Sequence, residues 1–80
     1  MTQDEILNRL TGIFRDIFDD ETLTITPETS PDDIPEWDSL ANISLIAAAE
    51  KEFSTRFDMK TVQKIKTAGD LLREVENSHK

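Results

Sequence analysis

Asp38 followed directly by Ser39 is the pair whose types and spacing could carry chemistry, because a serine hydroxyl at the start of a helix can be reached from solvent. Such a hydroxyl can act as a nucleophile or belong to nothing more than a helix cap. A nucleophile needs a base. Cysteine is absent, the one histidine is His79 near the end of the chain, and Ser39 lacks a Gly-x-Ser-x-Gly elbow. A serine hydrolase, a thiolate zinc site and a disulfide therefore lose the residues they require. Asp19, Asp20, Glu21, Asp32 and Asp33 raise a calcium module, yet no stretch has the alternating ligands and central glycine of an EF-hand loop. Whatever chemistry involves this chain is expected to be done by partners.

The elements that would position Ser39 follow from capping and periodicity. Asp38 can cap a second helix, placing Ser39 in its first turn. Leu40, Ile43, Leu45, Ile46, Ala47, Ala48, Ala49 and Phe53 make that helix apolar over more than one face, so contacts from several sides and a central place are expected. Upstream, Thr2 and Glu5 form a capping box for a first helix. Its residues Ile6, Leu7, Leu10, Ile13, Phe14, Ile17 and Phe18 make one apolar stripe, read as core.

Between these helices, Asp19 to Trp37 carries Pro27, Pro31 and Pro35 and reads as a long ordered loop. Leu23, Ile25, Ile34 and Trp37 are available to pin it, and Leu23 to Thr26 alternates like a strand without an evident partner. A short third helix is expected around Met59 to Ile65. A fourth follows Thr67 and Asp70, with Ala68, Leu71, Leu72 and Val75 at helical spacing and fraying from Asn77 to Lys80. The expected fold is all-α: one domain over residues 1–80, a small bundle of three longer helices and one short one, with a long loop between the first and second.

Charge narrows the partners. The 80 residues hold 17 Asp and Glu against 9 Lys and Arg, a net charge of −8. Residues 1–38 hold 11 acids and 2 bases, whereas 39–80 hold 6 acids and 7 bases, so the halves carry −9 and +1. Nucleic acid and anionic lipid surfaces are not expected partners; proteins that offer basic patches are. No basic stretch followed by an apolar run opens the chain and no segment is long enough to insert in a bilayer, so a cytoplasmic monomer is expected.

The order of these elements, with Trp37-Asp38-Ser39-Leu40, the run Leu45 to Phe53, and Ile65-Lys66-Thr67-Ala68-Gly69-Asp70-Leu71-Leu72, resembles the acyl carrier protein family over nearly the whole chain. The resemblance implies that a phosphopantetheinyl transferase joins the Ser39 hydroxyl to 4'-phosphopantetheine from coenzyme A. The chain would then hold acyl thioesters for acyl-loading and acyl-transferring enzymes without catalysing anything itself. It implies for Asp38 a contact with the transferase or its magnesium beside its role as a cap. Leu40 and Ile43 become partner-surface residues, although either could be core. Ile46, Ala49, Phe53, Phe57, Ile65 and Leu71 become residues of an interior that could shelter an acyl chain, with tight packing as the default.

Carriers of primary fatty-acid synthesis place acids just after the serine, where this chain has Ala41 and Ser44, and Lys51 dilutes the same face. Steering of partners by charge is therefore expected to involve the loop and first helix rather than an acidic second helix. Trp37 resembles stand-alone and polyketide-type carriers, and reads as a loop anchor. Peptidyl carriers typically have glycines before the serine; Glu36-Trp37 does not match, so a fatty-acyl, polyketide or other acyl cargo is expected before an aminoacyl one. The competing reading is a small acidic helical interaction domain with no prosthetic group.

Overall fold

Each helix begins where a short polar side chain can satisfy its first amides. The computed structural model describes residues 2–78 and contains helices α1 Gln3–Phe18, α2 Ser39–Glu52, α3 Met59–Lys64 and α4 Ala68–Ser78. Thr2 Oγ1 accepts the Glu5 amide at 3.2 Å, and its hydroxyl meets the Glu5 carboxylate at 3.4 Å. Asp38 and Asp58 cap α2 and α3 through the amides of Ala41 and Thr61, at 2.8 and 2.7 Å. At α4 the exchange is reciprocal: Asp70 donates its amide to Thr67 Oγ1 at 3.1 Å, and its Oδ2 accepts the amides of Lys66 and Thr67 at 2.9 and 3.2 Å. Replacing such caps with alanine typically costs about 1 kcal/mol each.

The stripe on α1 does what its spacing predicts: Ile6, Leu10, Ile13 and Phe14 are buried, with Leu7, Ile17 and Phe18 packed at its margins. Both α2 and α4 pack chiefly against α1. The central place expected for α2 thus belongs to α1, and only Leu45, Ile46 and Ala49 of α2 are buried along its length. An all-round apolar helix suggests several neighbours; here one face meets α1 while Leu40 and Ile43 stay outside. From α4, Ala68, Gly69, Leu71, Leu72 and Val75 complete the core. Each large aliphatic or aromatic side chain fully buried this way contributes about 1.5–3 kcal/mol.

The long loop is held by its own apolar residues and by turns. Ile25, Ile34 and Trp37 are buried and Leu23 is half-buried. No strand forms among the described residues, so the alternation at Leu23 to Thr26 serves anchoring alone. Arg15 Nε donates to the Leu23 carbonyl at 2.6 Å, while Asp20 Oδ1 accepts the Thr22 amide at 3.0 Å and Asp33 Oδ2 the Ser30 amide at 3.1 Å. Thr29, the buried polar residue, accepts the Thr26 amide at 2.8 Å. The loop is also tied to α4: Ala68 and Gly69 donate their amides to the carbonyls of Thr29 and Pro27, both at 2.9 Å.

At the far end, Asn77 and Ser78 are helical, and the Ser78 hydroxyl donates to the Glu74 carbonyl at 2.9 Å. Fraying expected from Asn77 onward therefore does not begin there; its remaining part, residues 79–80, lies outside the described residues.

Candidate functional site

Ser39 is the first residue of α2 and is exposed. Its position is imposed from both sides. Asp38 has the extended backbone of a cap, and its carboxylate turns forward onto the Ala41 amide. Just before it, Trp37 is only 6% exposed, stacks edge-on against Phe14 of α1 with ring centroids 5.2 Å apart, and donates its indole N–H to Asn42 Oδ1 at 3.1 Å. The loop-anchor role expected of Trp37 is what these contacts describe. With the tryptophan fixed below and the cap closed, the serine has nowhere to point but outward. Among the described residues no group hydrogen-bonds its Oγ.

An open groove of about 560 Å³ lies beside it, walled by Asp38, Ser39 and Asn42 of the α2 start, Pro31 and Asp32 of the loop, and Ile65, Lys66 and Thr67 ahead of α4. The sequence alone did not single out Asn42, Lys66 or Thr67 as site residues. Asn42 stands one turn after Ser39 on α2, whereas the approach of Lys66 and Thr67 depends on the backbone bonds from Ala68 and Gly69 to the loop, which no local pattern announces.

The remaining candidates divide cleanly. Leu40 and Ile43 are 76% and 61% exposed, so neither is a core residue. Ile46, Ala49, Phe53, Ile65 and Leu71 are buried in one cluster, and Phe57 is half-buried against it. Of these, Ile65 also lines the groove beside Ser39. His79 lies outside the described residues. No group of three or more acids or histidines able to hold a metal occurs among the described residues; Asp20 and Asp33 instead close turns. Nor is any described helix long and apolar enough to cross a membrane.

The structure thus presents a small helical bundle with an exposed serine at a capped helix start. No family model matches the chain. It is, however, 31% identical over 78 residues to the acyl carrier protein of Acidothermus cellulolyticus, covering 98% of this chain and 93% of that one. It is 32% identical over 77 residues to the acyl carrier protein of Thermosynechococcus vestitus, covering 96% and 95%. The solution NMR structure of a holo acyl carrier protein from Geobacter metallireducens superposes with a TM-score of 0.85 at 40% identity, over 92% of this chain and 85% of that one. The chain belongs to the acyl carrier protein family, whose members are carriers rather than catalysts.

Proposed function

We propose that Ser39 is the attachment point of a 4'-phosphopantetheine arm and that residues 1–80 act as one non-catalytic carrier domain. The observation that carries this is the free, exposed hydroxyl at the first position of α2. The surroundings fit the group. A phosphodiester on Oγ stands at the positive end of the helix dipole, and the groove beside it has room and a cation, Lys66. When bound, the arm supplies a thiol whose acyl thioester stays electrophilic at the carbonyl and acidic at the alpha carbon.

The chain's own residues then deliver rather than react. Asp38 keeps the helix start closed and presents its carboxylate to the transferase or its magnesium. Leu40 and Ile43 form part of the surface that acyl-loading and acyl-transferring enzymes read. Ile65 marks the way from the groove to Ile46, Ala49, Phe53, Phe57 and Leu71, which would line an acyl chain once the core opens for it. A tether that keeps the cargo near each active site raises its effective concentration there. The cargo proposed is fatty-acyl or polyketide, and the setting is a cytoplasmic monomer.

The test is to incubate the chain with coenzyme A, magnesium and a promiscuous phosphopantetheinyl transferase and to weigh it intact. The expected result is one added phosphopantetheine, abolished by Ser39→Ala. No gain in mass counts against the carrier reading, and a gain that survives the substitution moves the site to another residue.

A further inference from the structure

Beyond the serine, α2 carries an exposed stripe of its own. Leu40, Ile43, Ala47 and Glu50 follow at spacings that keep them on one helix face. Leu40, Ile43 and Ala47 are all exposed. The stripe ends where Glu50 Oε2 accepts the Phe57 amide at 2.9 Å, which brings it to the start of α3 and to the exposed side chain of Met59. Single exposed apolar side chains are ordinary on a protein surface. The charge around these is not.

Between Ser39 and Lys66 each acid already has a partner within the chain: Glu50 holds the Phe57 amide, Glu52 lies 3.4 Å from Arg9, and Asp58 caps α3. The cations differ. Lys51, Arg56 and Lys60 are exposed and form no ion pair among the described residues. Lys51 and Arg56 line a hollow of about 440 Å³ together with Ala47, Glu50 and Thr55, at the end of the stripe away from Ser39. Asp32 and Asp38 stand at the other end with Lys66, in the groove beside the serine, so the groove lining carries a net −1 and the hollow, with Glu50 against Lys51 and Arg56, a net +1. The stripe thus runs from an anionic end to a cationic one.

We propose that this face docks a partner protein that presents apolar residues to Leu40 and Ile43 and carboxylates to the hollow between Lys51 and Arg56. The inference rests on the carrier reading of Ser39 and adds the sign and direction of recognition. Net charge alone points to basic partners, but steering by distant acids fades over about 8 Å at physiological salt. Within a docked complex the nearby, unpaired cations set register and partner choice. Opposite charges at the two ends admit a partner in one orientation, which aligns it relative to Ser39.

The probes are two synthetic amphipathic helical peptides of equal length and identical leucine stripe, one flanked by glutamates and the other by lysines. Each is titrated into the isotope-labelled full chain carrying its arm, and amide shifts are followed by NMR. The glutamate peptide is expected to shift residues 40–47 and 51–59, and Lys51→Glu with Arg56→Glu to weaken its binding about fivefold, the scale of two exposed ion pairs. Ile43→Ala is expected to weaken binding without reversing the preference for glutamate. Tighter binding of the lysine peptide to this face, indifference to the charge reversal, or no shift with either peptide would overturn the proposal. The intact mass of the same sample separates the two readings: a chain that never takes the arm removes the carrier reading, whereas a loaded chain without a charge-dependent shift removes only the docking face.

Discussion

The indole N–H of Trp37 donates to Asn42 Oδ1 at 3.1 Å, a bond that spans Ser39 and ties the loop to the first turns of α2. The same ring meets Phe14 of α1, so three segments converge behind the serine. Asn42→Leu leaves a part-buried indole N–H without its acceptor, and an orphan of this kind costs about 1 kcal/mol or more. Trp37→Phe removes the donor but keeps a ring for Phe14, and leaves Asn42 half-exposed to find water. Urea unfolding is expected to rank Asn42→Leu as the more damaging of the two; the reverse order would mean that ring area, not the hydrogen bond, holds the loop.

Gly69 is the second joint of the loop. A Cβ placed there would collide with the Pro27 carbonyl, the acceptor of the Gly69 amide. Backbone atoms cannot swing aside as a flexible side chain can. Gly69→Ala is therefore expected to push the loop off α4 and lower stability by about 1–3 kcal/mol, the range for overpacked sites. Gly12→Ala is the internal control, since its Cβ would meet nothing within 4 Å, and it should stabilise α1 by roughly 0.5–1 kcal/mol. Thermal melts of the two variants should move in opposite directions.

These joints mark what could and could not be read from the chain. Caps and stripes are local, so Thr2, Asp38 and the Thr67–Asp70 pair announced helix starts, and the α1 stripe announced its buried face. On α2 local pattern was silent, because apolar residues occur all round it; packing against α1 decides that Leu45 and Ile46 go in while Leu40 and Ile43 stay out. Ser39 and Asp38 are legible as a candidate site, whereas Lys66 and Thr67 reach it only through bonds between segments far apart in sequence. That Asn77 and Ser78 continue α4 also has a physical reason: the Ser78 hydroxyl bonds back to the Glu74 carbonyl and prolongs the last turn.

Acid should act on α3 before it acts on the core. Hydrogen bonds from the Thr61 amide and hydroxyl hold the Asp58 carboxyl below its ordinary value of 3.8. A folded value below the unfolded one means that the ionised cap stabilises the fold fully above the unfolded value and loses that contribution as pH falls through the folded one. Asp20, held down by Thr22, has the same sign. The stability gap between the native chain and Asp58→Ala should therefore be constant from about pH 6 to 8 and narrow below about pH 4. Chemical denaturation across that range measures it, and a gap that widens in acid would contradict the assignment.

Asp38 caps α2 and is proposed to serve the transferase as well; alanine would remove both roles together, and asparagine can part them. Its Oδ1 accepts the Ala41 amide at 2.8 Å, and asparagine caps helices about as well as aspartate. Asp38→Asn should therefore keep stability within about 0.5 kcal/mol of the native chain, whereas Asp38→Ala should lose about 1 kcal/mol. If the carboxylate charge also serves the transferase or its magnesium, loading of Ser39 in Asp38→Asn should slow markedly although the helix start is intact. Initial rates of mass gain on the two variants decide it. Equal loading by Asp38→Asn and the native chain would confine Asp38 to the cap, and leave the exposure of Ser39 as the whole of what this helix start offers the transferase.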